Sequence, residues 1–207
     1  MALNKAQLQS AFEDVFESMT DGNEDTFPNG ISAAVVTFVS GGIVSTTDGV
    51  TGSGGSYAGS GTGKLAVTAS ACAAIIKAAC TAMKTMTSGG DDYLAEEMGK
   101  GFKKMADDGV VTTTVTGTFT PPPPTPPIFP YVGAAKGTIS CSEATLVTKL
   151  KALFQKMYSQ MEQEGFDGNK EFAKVLANEI NLFFTSGKIS TKGQGNIAGS
   201  SGSGTIS

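Results

Sequence analysis

The chain carries one pattern three times. Each copy has two amphipathic segments, then a stretch rich in Thr, Val and Gly, then a closing signature that contains Gly63, Gly137 or Gly204. Self-similarity at a period of about 70 residues predicts that the chain is built from equivalent units. Because each unit must then have a function that can be used three times, the repetition favours a structural role over catalysis. A second short motif, which we call the repeated mark, precedes each signature. It comprises the segments Gly42–Thr46, Gly109–Thr113 and Gly187–Thr191.

The repetition predicts an α+β fold of three tandem repeats. Each repeat is expected to be an amphipathic helix pair followed by a β-arm or hairpin with a Gly- or Pro-rich tip. We place the repeats at residues 1–67, 68–140 and 141–207. A unit of this size is close to the limit at which a lone core is stable. We therefore expect the units to lean on one another or on partner chains.

The helices are indicated by apolar residues at three- and four-residue spacing, which form one face of a helix. Asp167, Gly168 and Asn169 then supply turn and N-cap chemistry before the last helix. The strands are indicated by β-branched runs such as 110–118, and we expect their edges to be unpaired. The clearest helical stripe consists of Leu146, Leu150, Leu153, Phe154, Met157, Tyr158 and Met161.

Composition excludes several function classes. The chain has no His and no Arg, so it offers no imidazole base, no His-ligated zinc site and no guanidinium fork for phosphate or guanine. A net charge of −4 disfavours nucleic acid as a partner. We expect no enzyme activity, no catalytic residue, no cofactor, no metal site and no small-molecule substrate.

Two segments suggest a function that closer reading rejects. Residues 58–65 resemble a phosphate-binding loop, but Ala58 replaces its first glycine and Leu65 replaces its Ser/Thr. The stretch 65–83 is the most apolar, yet it is mostly small residues with Lys77 in the middle, which favours an interior helix over a membrane span.

The start of the chain lacks the apolar run of a signal peptide. Cys72, Cys80 and Cys141 are best explained as small unpaired thiols in a reducing compartment.

The middle tip, residues 120–131, differs from its Gly/Ser-rich counterparts. Seven of the eight prolines lie there, which predicts a stiff polyproline II spur flanked by aromatic residues. The spur is either a rigid loop or a prong that docks on a partner; a ligand of a signalling domain is a third reading. The candidate partner-binding residues are Phe119, Pro121, Pro124, Ile128, Phe129 and Tyr131.

The layout resembles that of small virion structural proteins of tailed bacteriophages. The resemblance rests on the helix pair, on Gly-x-Val-x-Thr followed by Thr114–Thr118, on the Gly- or Pro-rich tip and on the closing Gly-Thr-Ile-Ser of 137–140 and 204–207. It implies a neck, tail or baseplate component that is made in the host cytoplasm and located in the virion. Its implied partners are other virion proteins and copies of itself, with no membrane. A carbohydrate- or cell-binding adhesin that uses the loop tips is the alternative.

Overall fold

A computed structural model of the chain describes residues 3–19, 23–52, 55–121, 128–160, 167–194 and 199–207. Helices and strands are both present, so the predicted α+β class is confirmed. Two helices precede two strands in each third of the chain. In order, the elements of the described residues are α1 (Lys5–Glu17), α2 (Thr26–Gly41), β1 (Val44–Gly52), β2 (Gly55–Ala66), α3 (Ser70–Met83), α4 (Gly90–Asp107), β3 (Val110–Thr120), β4 (Phe129–Ser140), α5 (Glu143–Gln160), α6 (Gly168–Thr185), β5 (Lys188–Gln194) and β6 (Ser201–Ile206).

Side-chain caps fix the start of two helices. The Asn4 side chain accepts a hydrogen bond from the Gln7 backbone N–H at 3.1 Å, and α1 begins at the next residue. The predicted N-cap at Asp167 is confirmed, because its side chain accepts from the backbone N–H of Lys170 at 3.1 Å. Each cap satisfies an N–H group that has no partner within the helix.

The six helices form a closed ring. Each helix packs against the next along the chain, and α6 packs against α1. The predicted apolar stripe of α5 faces the hydrophobic core, with a correction at Tyr158, which is 72% exposed. Tyr158 lies about 100° around α5 from Met157, so it faces away from the core; Met161 lies outside the described residues. Core residues from the six helices include Phe12, Ile31, Ile76, Phe102, Leu150 and Ile180.

The six strands close into one antiparallel barrel. Every strand pairs with its chain neighbours, and β6 pairs with β1 to complete the circle. The expectation of unpaired strand edges is therefore wrong along most of the barrel, because closure gives each strand two partners. Among the described residues, the tip ends of β4 (Phe129–Gly133) and β1 (Val50–Gly52) each have one partner strand, since pairing of β4 with β5 begins at Ala134 opposite Gln194 and pairing of β1 with β6 ends at Gly49 opposite Ser201.

The helix ring sits on one end of the barrel. The strand ends that join the helices contribute apolar side chains to the same core as the helices, so ring and barrel share one hydrophobic interior. We call this the helix end and the opposite one the tip end. The strand residues in the shared core are Val44, Leu65, Val111, Ile139, Ile189 and Ile206.

The signature glycines lie where the second strand of one third of the chain meets the first strand of the next. Gly63 pairs with Thr113, and Gly137 pairs with Thr191. Gly204 pairs with Thr46 across the seam that closes the barrel. A Cβ added at any of these glycines would lie 1.9 Å from a carbonyl oxygen of the facing strand. Close backbone approach, which leaves no room for a side chain, therefore explains the repeated glycine.

The segments rejected as functional motifs have structural roles. Residues 58–65 belong to strand β2 and form no loop. Lys64 instead donates from Nζ to the carbonyl oxygens of Ser40, Gly41 and Gly42, at 3.2, 3.2 and 2.9 Å, and so caps the end of α2. No helix among the described ranges combines the length and apolar content needed to cross a bilayer. The three cysteines are free thiols.

Candidate functional site: the barrel interior and its tip end

A layer of threonines lines the barrel just beyond the apolar layer at the helix end. Thr46, Thr113 and Thr191 are each the last residue of a repeated mark, and all three are buried. The residues that pair with them on the neighbouring strands are small, so the hydroxyls have room inside the barrel. These small residues are Gly61 and Gly204 beside Thr46, Gly63 and Ala135 beside Thr113, and Gly137 and Gly202 beside Thr191.

Asp48 places a carboxylate inside this threonine layer. Its Oδ2 accepts a hydrogen bond from Thr46 Oγ1 at 2.6 Å, and its Oδ1 accepts one from Thr191 Oγ1 at 3.1 Å. Among the described residues, Asp48 is the one charged side chain that is fully buried, at 3% exposure. A buried carboxylate is costly unless it is paired or hydrogen-bonded, so the two donors are needed for it to lie here.

Two glycines make the space that Asp48 occupies. A Cβ at Gly202 would lie 2.0 Å from Asp48 Oδ1, and one at Gly61 would lie 3.0 Å from Oδ2. Asp48 lies two residues after the last threonine of the repeated mark. At the equivalent position the other two thirds of the chain have Val115 and Gly193. Asp48 therefore distinguishes the first third of the chain from the others inside the barrel.

An aromatic cluster covers the threonine layer on the side of the tips. Tyr57, Val115 and Ala135 are buried together, and Phe119 and Tyr131 pack against them. The rings of Tyr57 and Tyr131 meet edge to face, with centroids 5.5 Å apart. Burial raises the pKa of the Tyr57 hydroxyl, and the negative charge of Asp48 and the neighbouring Tyr131 raise it further. The hydroxyl thus stays protonated beside the carboxylate.

Three hydroxyls around this interior have no hydrogen-bond partner among the described residues. They belong to Thr113, Tyr57 and Ser200, which are 4%, 4% and 2% exposed. Buried hydroxyls are nearly always hydrogen-bonded, so three unpartnered ones in one barrel need an explanation.

The predicted partner-binding residues separate into two groups. Phe119 and Tyr131 are half-buried in the aromatic cluster, whereas Ile128 and Phe129 are 63% and 50% exposed at the tip end. Pro121 is half-buried, and Pro124 lies outside the described residues, as does most of the Pro-rich segment. The structure therefore brings Phe119, Phe129 and Tyr131 close through the β3–β4 pairing, in which Phe119 faces Phe129.

Sequence reasoning missed Val132 and Asp48. Val132 is 70% exposed because it follows Tyr131, and successive residues of a strand point to opposite faces. That alternation is a signal that the sequence contains.

Asp48 follows Thr46 by two residues and so shares its inward face. The sequence alone could not separate the two faces there, because Ser45, Thr46 and Thr47 are all small and polar.

An apolar cavity of about 610 Å³ lies at the end of the helix ring away from the barrel. Residues of all six helices contribute to its walls, as a ring arrangement requires. The aromatic walls are Phe16, Phe27, Phe154 and Phe172.

The described residues hold few groups that could perform chemistry. They contain no cluster of three or more His, Cys, Asp or Glu side chains able to bind a metal. The cysteine thiols are poor nucleophiles, since burial raises the pKa of Cys72 to about 11 and of Cys141 to about 12. Searches against protein-family models, curated proteins and solved structures found no match to the chain.

Proposed function

We propose that the chain is a non-enzymatic structural protein of a tailed-phage virion, a component of the neck, tail or baseplate. It would bind neighbouring subunits through its β-hairpins and loop tips. The proposal takes the class of particle from the resemblance of the repeat layout. It takes the mode of action from the surface at the tip end of the barrel.

We further propose that the chain is three equivalent units arranged around an approximate threefold axis. The seam contacts support this, because Gly63, Gly137 and Gly204 make the same approach to the following unit. The packing of α2 on β2, α4 on β4 and α6 on β6 is also consistent with it. A single chain of this kind would present to a particle the surface that a small trimer presents.

The observation that carries the functional proposal is the exposed apolar surface at the tip end of β4. Ile128, Phe129 and Val132 are all at least half exposed. Ile128 directly precedes β4, whereas Phe129 and Val132 lie on opposite faces of the part of β4 that has no β5 partner among the described residues. Exposed apolar side chains at the end of a strand are typical of a protein-binding surface. A partner strand could pair with this edge while its side chains cover the apolar ones.

The same surface favours an assembly role over the adhesin alternative. Sugar recognition would combine aromatic faces with polar side chains that hydrogen-bond hydroxyl groups. The exposed large hydrophobic residues here are two aliphatic side chains and one phenylalanine, and the exposed polar neighbours Thr116 and Thr118 are short, so a protein partner fits better. The partners proposed are other virion proteins and copies of this chain, in a virion assembled after synthesis in the host cytoplasm.

The experiment uses the parent phage with an altered copy of the protein. The double variant Phe129→Ser, Val132→Ser removes two apolar side chains from the surface and none from the core. We expect it to accumulate as folded protein but to be lost from purified particles by at least about tenfold, since each 1.4 kcal/mol of lost contact is tenfold in affinity.

The matched control is Tyr158→Ser, which removes a 72% exposed aromatic residue from helix α5. It should enter particles at the normal level. Normal incorporation of the Phe129→Ser, Val132→Ser variant would contradict the proposed binding surface. Absence of the unaltered protein from purified particles would contradict the virion assignment as a whole.

A further inference from the structure

The barrel and the helix ring carry opposite charge. The strands hold four of the 15 lysines of the chain but one of its 19 acidic residues, and that one is the buried Asp48. Lys64, Lys136, Lys188 and Lys192 are all exposed, so the outer surface of the barrel is positive. The other acidic residues belong to the helices and to the segments that join them, and they outnumber the lysines there. The helical part of the molecule is therefore negative.

The apolar cavity of the helix ring opens at the end of the molecule away from the barrel. Its volume of about 610 Å³ lies within the usual range of ligand pockets, about 300–1,000 Å³, so it has room for more than one apolar side chain. Met19 lies on the cavity wall and is 50% exposed, so the cavity is accessible from the surface. Lys77 and Lys84 also lie on the wall, but they pair with Asp25 and Glu24 and so leave it without net charge.

The exposed apolar side chains of Ile128, Phe129 and Val132 lie at the opposite end of the molecule. Each copy of the chain thus has exposed apolar side chains at one end and an apolar recess with aromatic walls at the other. Side chains that fill pockets, aromatic ones above all, supply most of the binding energy of protein interfaces. Charge favours the same pairing, because barrel-to-ring contact is attractive, whereas barrel-to-barrel and ring-to-ring contacts bring like charges together.

We propose that copies of the chain associate head to tail, with the tip end of one barrel docked in the helix-ring cavity of the next copy. Because the docking surface is the tip end, this association rests on the function proposed above, and it names a second copy of the chain as the partner. The two contact surfaces differ, so the interface is heterologous. They also lie at opposite ends of the molecule, so repeated contacts extend into an open stack.

The test is sedimentation velocity of the purified full chain over a range of concentrations. We expect the unaltered chain to form species larger than a dimer as its concentration rises. Met19→Asp places a charge on the cavity wall, and Phe129→Ser, Val132→Ser removes apolar side chains from the tip end. Each variant should weaken self-association at least about tenfold, which corresponds to about 1.4 kcal/mol of lost contact.

A mixture of the two variants distinguishes head-to-tail contact from other arrangements. The Met19→Asp variant keeps an intact tip end, and the Phe129→Ser, Val132→Ser variant keeps an intact cavity. Together they should form a dimer with one copy of each and no larger species, a result that an isologous interface cannot give. The matched control is Met86→Asp, at a 40% exposed methionine between α3 and α4 that lies outside the described cavity wall. It should associate as the unaltered chain does.

Four results would overturn the proposal. An unaltered chain that stays monomeric at every concentration would show that the tip end does not bind a second copy; loss of the tip variant from particles would still support binding to another virion protein. A Met19→Asp variant that associates normally would place the contact outside the cavity. Equal weakening by Met86→Asp would attribute the effect to added charge alone. A mixture that forms no dimer, although circular dichroism shows both variants folded, would exclude head-to-tail pairing.

Discussion

Gly204 faces Thr46 across the seam between β6 and β1, so closely that a Cβ on Gly204 would lie 1.9 Å from the carbonyl oxygen of Ser45. None of the three signature glycines has a positive φ, so their role is steric and not conformational. The last strand of the chain can close the barrel on the first because position 204 has no side chain.

The first prediction is that Gly204→Ala destabilises the protein by about 1–3 kcal/mol, the usual cost of forcing extra atoms into a packed site. The control is Gly41→Ala at the end of α2, where an added Cβ would meet nothing within 4 Å. Urea unfolding monitored by circular dichroism measures both. Equal stability of the two variants would contradict the steric account of the seam.

The second prediction concerns Tyr57 at high pH. Its pKa is raised above the ordinary value of 10.0, first by burial and then by Asp48, so the folded state holds the phenol proton more tightly than the unfolded state. The stability that this provides is complete below about pH 10 and is lost as pH rises through the folded pKa. We expect Tyr57→Phe to lose less stability than the unaltered protein between pH 9 and 11.

Tyr158→Phe serves as the control for that experiment, because Tyr158 is 72% exposed. Its free energy of unfolding should follow that of the unaltered protein across the same range. If the free energy of unfolding of Tyr57→Phe also changes with pH as that of the unaltered protein does, the pKa of the Tyr57 hydroxyl is not perturbed by its surroundings.

The third prediction is a difference in reactivity among the cysteines. At pH 8 a thiol of pKa about 11 is roughly one part in a thousand thiolate, the reactive form. Burial raises the pKa of Cys72 to about 11 and of Cys141 to about 12, and both side chains are also shielded from reagent. Cys80 is partly exposed, and burial raises its pKa as well, so it should react first but slowly.

Iodoacetamide labelling followed by peptide mass spectrometry measures the three rates. Cys72 and Cys141 should be modified at least about tenfold more slowly than Cys80 in the folded protein. All three should react alike in denaturant. Fast labelling of Cys72 in the native protein would contradict its place in the core.

The fourth prediction tests the equivalence of the three units through circular permutation. The first and last described residues lie close together, because Ser207 exchanges backbone hydrogen bonds with Ile43, and Leu3 lies beside Gly42. A permutant with its old ends joined by a short Gly/Ser linker and new ends within residues 67–69 keeps every unit intact. It should fold with an unchanged circular dichroism spectrum and a similar midpoint of unfolding.

A second permutant, opened between Thr113 and Thr114, cuts strand β3 inside the barrel. It should be severely destabilised, since both halves of the strand lose their continuity. Failure of the 67–69 permutant alongside it would contradict the proposed cyclic arrangement.

Much of the fold follows from local patterns in the sequence. Apolar periodicity indicates the helices. The Asp167 cap indicates where the last helix starts, and the β-branched runs indicate where strands follow the helices. Barrel closure could not be predicted, because the pairing of Val44 with Ile206 joins opposite ends of the chain and nothing local specifies it. The expectation of open edges arose from considering each hairpin alone.

The candidate site was less accessible to sequence reasoning. The aromatic residues around the Pro-rich tip stand out by composition. Whether each side chain is buried depends on which face of its strand it occupies and on how close it lies to the open tip end of the barrel. Asp48 resembles a surface carboxylate in a polar strand. Its burial depends on the barrel that encloses it and on Gly202, which lies across the seam far along the chain.

The most direct test of the central claim is an electron cryomicroscopy map of the parent particle at side-chain resolution. We predict density for this chain as a helix ring on a six-stranded barrel, with Phe129 and Val132 buried against a neighbouring protein. A particle whose map and protein content lack the chain would contradict the account. So would a bound chain whose tip end faces solvent.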